Sequence, residues 1–197
     1  LDFRISLTLA TERQSFDVGI TEPYFMGKEL AAGIDGFHTQ SNILSEFQNI
    51  ATGGKLRLGY DLSEYLRHTV RYTIREDDIS DVDSGASEFI KTEVGKTISS
   101  IIGHDLTYDR RNSKVSPTDG YLLLLSNDLA GLGGDVNYFK TRAKAQYHYS
   151  IWEGWVASVE GEIQNIFGFG DDVRVSDRFF LGGDKLHGFE AGGVGPR

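Results

Sequence analysis

Residues 139–164 read FKTRAKAQYHYSIWEGWVASVEGEIQ. Phe139, Thr141, Ala143, Ala145, Tyr147 and Tyr149 alternate with Lys140, Arg142, Lys144, Gln146 and His148. After Ser150–Gly154, Trp155, Ala157, Val159, Gly161 and Ile163 alternate with Ser158, Glu160, Glu162 and Gln164. Period two is the period of a β-strand with unlike faces, and a short polar break between two such runs predicts an antiparallel hairpin. One face of this hairpin is apolar. The other sets Lys140, Arg142 and Lys144 beside Glu160 and Glu162, which cross-strand pairing favours.

The same alternation extends outward in both directions. Phe3, Ile5, Leu7 and Leu9 oppose Arg4, Ser6 and Thr8; Phe16, Val18 and Ile20 follow. Leu30, Ala32 and Ile34 mark a third strand, out of phase at Phe37. Leu56–Tyr60 and Leu66–Ile74 give two more, the latter with Arg67, Thr69, Arg71 and Thr73 on its polar side. A sixth runs over Ser99–Asp109. A seventh begins at Gly120, with Tyr121–Leu125 apolar on both faces. The connections read as Glu22–Glu29 with Pro23, polar His38–Gly53, acidic Glu76–Ile98, Arg110–Asp119 with Pro117, and glycine-rich Leu129–Asn137. No helical period persists. The expectation is all-β: nine sequential antiparallel strands over residues 1–165, then a loop over 166–197.

A soluble sandwich or barrel also alternates. Three features favour part of a transmembrane β-barrel instead. The strands read as about ten to twelve residues, the length of a tilted membrane-crossing strand. The odd-numbered connections read as roughly threefold longer in sum than the even-numbered ones, as in outer-membrane barrels. Tyr24, Phe25, Tyr60, Tyr65, Tyr121, Tyr147, Tyr149, Trp152 and Trp155 gather at the short-turn ends, where an amphipathic ring suits the bilayer interface. In that setting Lys140, Arg142, Lys144, Glu160 and Glu162 face a wet lumen, and Ala143, Ala145, Ala157 and Val159 face lipid.

Composition narrows the chemistry. There is no cysteine, so no disulfide, thiolate metal site or cysteine nucleophile. A net charge of -9 argues against nucleic-acid partners. Glu76, Asp77, Asp78, Asp81 and Asp83 lack the EF-hand spacing and read as solvated acids. His104, Asp105, Asp109 and Arg110 could suggest acid–base chemistry, but on a strand His104 points away from Asp105 and Asp109. Structural hydrogen bonding is the plainer reading. The five histidines have no metal spacing. The expectation is a non-enzymatic protein without metal or cofactor.

The C-terminal run Arg178–Arg197, RFFLGGDKLHGFEAGGVGPR, carries six glycines among Phe179, Phe180, Leu181, Leu186 and Phe189. It reads as a structured loop packed against the strands. With TEPYF (21–25), GGKLRLGYDLSEYLR (53–67), LTYDRRNSKVSPTDGY (106–121) and LAGLGGDVNYFKT (129–141), this run resembles the barrel of the BamA family, the bacterial surface antigens. The resemblance is to alphaproteobacterial members. It implies strands three to eleven of a barrel of roughly sixteen, cut at both ends, without the periplasmic POTRA domains. It implies a role in folding and inserting other barrels into the bacterial outer membrane by strand pairing. The implied partners are unfolded outer-membrane proteins, accessory lipoproteins and the bilayer. Two-partner secretion or TamA-like transporters share the loop, and a passive porin is the alternative of another class. Leu186, His187, Gly188 and Phe189 occupy the family's loop motif, which folds into the lumen. His187 stands where the family has an arginine that grips carboxylates.

Overall fold

In a computed structural model the chain is described over residues 1–11, 13–42, 47–86, 88–170 and 172–179. Nine strands follow in order: β1 (Asp2–Leu9), β2 (Arg13–Glu22), β3 (Leu30–Ser41), β4 (Gln48–Asp61), β5 (Leu66–Ser80), β6 (Gly95–Asp109), β7 (Gly120–Gly134), β8 (Tyr138–Trp152) and β9 (Trp155–Gly168). They form one sheet in sequence order, each strand antiparallel to the next. The expected meander is thus observed, with no second sheet among the described residues.

Register fixes two faces. Lys140, Arg142 and Lys144 share theirs with Asp128, Ser126 and Leu124 of β7, their direct partners. Through Asp105 and Gly103 this face continues to Thr69 and Arg71 of β5, and then to Arg57, Lys55 and Asp35. Arg4 and Gly19 complete it at the β1–β2 end. The opposite face carries Phe3, Ile5, Leu7, Phe16, Ile34, Leu56, Ile74, Leu123, Val159 and Ile163, all markedly exposed. Ile163 keeps 76 % of its surface open. Such a continuous apolar face is far larger than soluble monomers tolerate. Buried apolar residues are few and form two small clusters, Phe47–Ile79–Ala86–Ile90 and Ile101–Ala130–Val136–Tyr138. Both lie toward one end of the sheet, so a sandwich core is not what holds the strands together. The backbone ladder and the polar face do that.

Three expectations are corrected. His38–Ser41 and Gln48–Gly53 extend β3 and β4, Glu76–Ser80 and Gly95–Ile98 extend β5 and β6, and Leu129–Gly134 extends β7. Strands of 14 or 15 residues rise about 3.3 Å per residue and exceed the length a membrane-crossing strand needs, so their ends are free to carry polar and glycine residues. The connections consequently do not alternate as expected. They run three, six, fourteen and three residues at one end and seven, four, ten and two at the other. Helix is also present: α1 (Glu88–Thr92) interrupts the β5–β6 connection, and its Ile90 seals the first apolar cluster. Phe37 is out of phase with the apolar set, as the sequence reads, while β3 continues through it. It stands on the polar face beside Gly53, where a Cβ would lie 2.7 Å from its ring.

The aromatic ends of the short turns agree with the sequence reading. Tyr108 and Tyr121 stack with centroids 5.8 Å apart, Tyr65 meets Tyr108 edge-on, and Trp152 tilts against Trp155 across the β8–β9 turn. Arg110 lies over the Tyr65 ring at 4.7 Å. Arg111 grips Asp109 through Nε and Nη2, both at 2.9 Å, and this hydrogen bonding raises the Arg111 pKa.

Candidate functional site

The polar face is a tiled network of ion pairs. Asp35 of β3 accepts from Arg57 Nε at 2.5 Å and Nη2 at 3.0 Å, and from Arg4 Nη2 at 3.2 Å. Arg57 also reaches Thr21 Oγ1. One carboxylate therefore spans four strands. Arg71 of β5 likewise joins three strands, donating to Asp105, to Asp128 Oδ1 at 2.6 Å and to Ser126 Oγ at 2.9 Å. Guanidinium forks suit such multidentate pairing. The side chains lie flat because glycine leaves room beneath them. A Cβ on Gly19 would strike Asp35, one on Gly33 would sit 2.9 Å from Arg57 Nη2, and one on Gly103 would strike Asp128.

The expected basic and acidic residues of β8 and β9 meet as predicted, though diagonally. Arg142 Nη2 donates to Glu162 Oε2 at 2.8 Å, and Lys144 Nζ lies 2.7 Å from Glu160 Oε1, which shares its carboxylate with Gln146. Lys140 behaves differently. Its Nζ donates to the backbone oxygen of Asp177 at 2.9 Å and lies 4.2 Å from the centre of the Phe179 ring.

That contact belongs to a clamp the sequence reading missed. After β9 the chain turns back over the polar face through a 3₁₀ turn, Val175–Asp177. Arg75 Nη2 donates to Asp177 Oδ1 at 2.7 Å and Arg75 Nε to Asp77 Oδ2 at 2.6 Å. The two carboxylates are only 3 % and 4 % exposed. Arg174 Nη2 donates to the Glu93 carbonyl at 2.7 Å, tying the same segment to the residues just after α1. Arg75 and Asp77 were hidden because Glu76–Ile98 reads as an acidic loop. The signal was nonetheless there: both continue the odd-numbered series Arg67, Thr69, Arg71, Thr73. Between the clamp and the sheet lies a cleft of about 520 Å³ lined by Lys55, Arg57, Arg71, Asp128, Lys140 and Phe179, among others.

The other sequence candidates separate as their phase predicts. Asp105 belongs to the Arg71 network and Asp109 to Arg111. His104 points to the apolar face and meets Asn127. The expectation of solvated acids fails at Asp77, which is buried in the clamp and pairs with Arg75, and holds in part at Glu76, which pairs with Lys96 at the surface. Leu186, His187, Gly188 and Phe189 lie outside the described residues.

Comparison with known proteins accords with this architecture. The Omp85 superfamily domain matches residues 2–197. The outer membrane protein assembly factor BamA of Neorickettsia risticii is 33 % identical over 160 residues, covering 80 % of this chain and 21 % of that protein. The human sorting and assembly machinery component 50 homolog is 28 % identical over 142 residues, covering 66 % of this chain and 28 % of that protein. The chain thus spans about a fifth to a quarter of these relatives. The crystal structure of BamA from Haemophilus ducreyi lacking POTRA domains 1–3 superposes with a TM-score of 0.82 at 18 % identity, over 94 % of this chain and 39 % of that one. A sided nine-stranded meander, a loop folded back over its polar face and a superfamily match along almost its whole length lead to one conclusion: the chain belongs to the Omp85 superfamily, and its sheet is part of an Omp85 β-barrel.

Proposed function

We propose that this sheet is one wall of a barrel that folds and inserts other β-barrel proteins into the bacterial outer membrane. The polar face lines the lumen, with Lys140, Arg142, Lys144, Glu160 and Glu162 among its residues, and the apolar face meets lipid. The observation that carries this reading is the clamp. A segment that leaves β9 is fastened by Arg75, Lys140 and Glu93 over the ion-pair face, as a loop that folds into a lumen would be. The relatives named for assembly support the activity, and the bacterial relative supports the bacterial membrane over the mitochondrial one. Unfolded outer-membrane proteins are the substrates, and accessory lipoproteins dock on periplasmic domains of the full-length protein.

The work is non-enzymatic and needs no cofactor. An incoming strand has unpaired backbone groups, and an exposed sheet edge satisfies them, which is β-augmentation. The ion-pair wall keeps the rest of the sheet rigid while an edge elsewhere opens. The test uses the full-length protein in lipid vesicles with a urea-unfolded porin. Folding of the porin, read as the shift to the heat-modifiable band on a gel, accelerates over protein-free vesicles. Equal rates with and without the protein overturn the reading.

A further inference from the structure

A polar row crosses six strands of the apolar face. Tyr60 of β4 pairs directly with His68 of β5, and the phenol oxygen lies 2.7 Å from His68 Nδ1. His68 meets His104 of β6 edge-on, with ring centroids 5.3 Å apart. His104 opposes Asn127 of β7, Asn127 opposes Thr141 of β8, and Thr141 opposes Asn165 of β9. Six successive strands thus each place a hydrogen-bonding side chain next to the last, on a mainly apolar face whose other polar pairs, His38–Thr52, Tyr72–Ser100 and Glu76–Lys96, each join only two strands.

The row is not level. Tyr60 is the penultimate residue of β4 at the short-turn end, whereas Asn165 is three residues from the opposite end of β9. His104 and Asn127 fall between. The row therefore climbs from one margin of the sheet to the other, and strand tilt of about 35–45° in such barrels carries it across the bilayer. Polar groups facing hydrocarbon are costly unless satisfied or used.

The row is satisfied only in part. Thr141 Oγ1 donates to Asn127 Oδ1 at 2.9 Å, which turns the Asn127 amide nitrogen toward His104 Nε2 at 3.3 Å. A neutral His104 accepting there carries its proton on Nδ1, and Nδ1 is buried with no partner. In the Tyr60–His68 contact either partner can donate. A cleft of about 490 Å³ opens over its middle, lined by His68, His104, Asn127, Val70, Leu129 and Phe139.

We infer that this row is a path along which phospholipid headgroups cross the membrane, so that the barrel also equilibrates phospholipid between leaflets. The ligand is a glycerophospholipid: its phosphate and ester oxygens take the imidazole and amide N–H groups, and its acyl chains stay against the flanking apolar residues. This rests on the membrane-barrel reading above, but not on assembly activity.

The experiment reconstitutes the full-length protein in phosphatidylcholine–phosphatidylglycerol vesicles carrying a fluorescent phospholipid, without any protein substrate. Inner-leaflet probe is detected by extraction with albumin, which is too large to pass a barrel lumen. Wild type makes the inner-leaflet probe extractable. The His68→Leu/His104→Leu/Asn127→Leu/Thr141→Val variant, shown to be inserted by flotation and heat-modifiability, slows this by about tenfold or more. If it does not insert, Thr141→Val/Asn165→Leu serves for the same comparison. Wild-type extraction no faster than in protein-free vesicles overturns the inference, as does an inserted variant as fast as wild type. Failure of wild type to float with vesicles overturns the membrane reading itself, which the flotation arm reports separately.

Discussion

At Gly103 the backbone makes room for a charge network. A methyl there would strike Asp128 Oδ1 and lie 3.0 Å from Arg71 Nε, so the pair that ties β5 to β7 across β6 has to move. Gly103→Ala is expected to lower stability by about 1–3 kcal/mol, the usual cost of forcing extra volume into a packed site. Gly161→Ala is the control, because nothing lies within 4 Å of its added methyl. The midpoint of heat-modifiability in detergent measures both; equal midpoints would show that the network does not rest on Gly103. Arg75 is the second critical residue. It pairs with two carboxylates that are almost fully buried. Arg75→Met leaves both uncompensated, at a cost of about 3–5 kcal/mol, whereas Asp177→Asn removes one of the two charges and costs less. Limited proteolysis after β9 should be fastest in Arg75→Met. An Asp177→Asn variant cleaved as fast or faster would place the clamp's strength elsewhere.

At the scale of elements, the β8–β9 hairpin shows how charge sets pairing. Lys144 and Glu160 are diagonal partners and partly exposed, so their contribution is small, about 0.2–1 kcal/mol. Lys144→Glu should destabilise the barrel measurably in low salt, and adding Glu160→Lys should return most of the loss. A double variant no better than the single would mean that the pair is incidental. This hairpin was readable from residues 139–164 because small or aromatic residues and charged ones alternate without a fault. β3 and β4 were readable only at one end. His38–Ser41 and Gln48–Gly53 lie where the strands leave the bilayer, and outside hydrocarbon nothing forces one face to be apolar, so the period vanishes while the backbone ladder continues. The unequal connection lengths were a product of that fading. The clamp was unreadable for another reason. Asp177 is about a hundred residues from Arg75, and no local period reports a contact between a strand and the segment that folds back over it.

For the whole molecule, the consequence of nine strands in one order is a wall with two incompatible faces. One is a lattice of Asp35, Arg57, Arg71, Asp105, Asp128, Arg142 and Glu162, and the other is mainly apolar, broken by the row from Tyr60 to Asn165 and by shorter polar pairs such as His38–Thr52 and Tyr72–Ser100. The apolar face has no covering layer among the described residues and the polar face only the segment around Asp177, which suits a barrel wall with lipid on one side and a wet lumen on the other. The sequence has no cysteine, which gives a clean background for locating each face. Ala157, Val159 and Glu160 of β9 are neighbours on one strand but differ in side, with Val159 69 % exposed on the bare sheet. Single cysteines at the three positions, introduced into the full-length protein in native membranes, are probed with a water-soluble maleimide. The account predicts rapid modification of Glu160→Cys and protection of Ala157→Cys and Val159→Cys, with protection lost when lipid is stripped and the protein unfolded. Rapid modification of Ala157→Cys and Val159→Cys in the intact membrane, with Glu160→Cys spared, would contradict it.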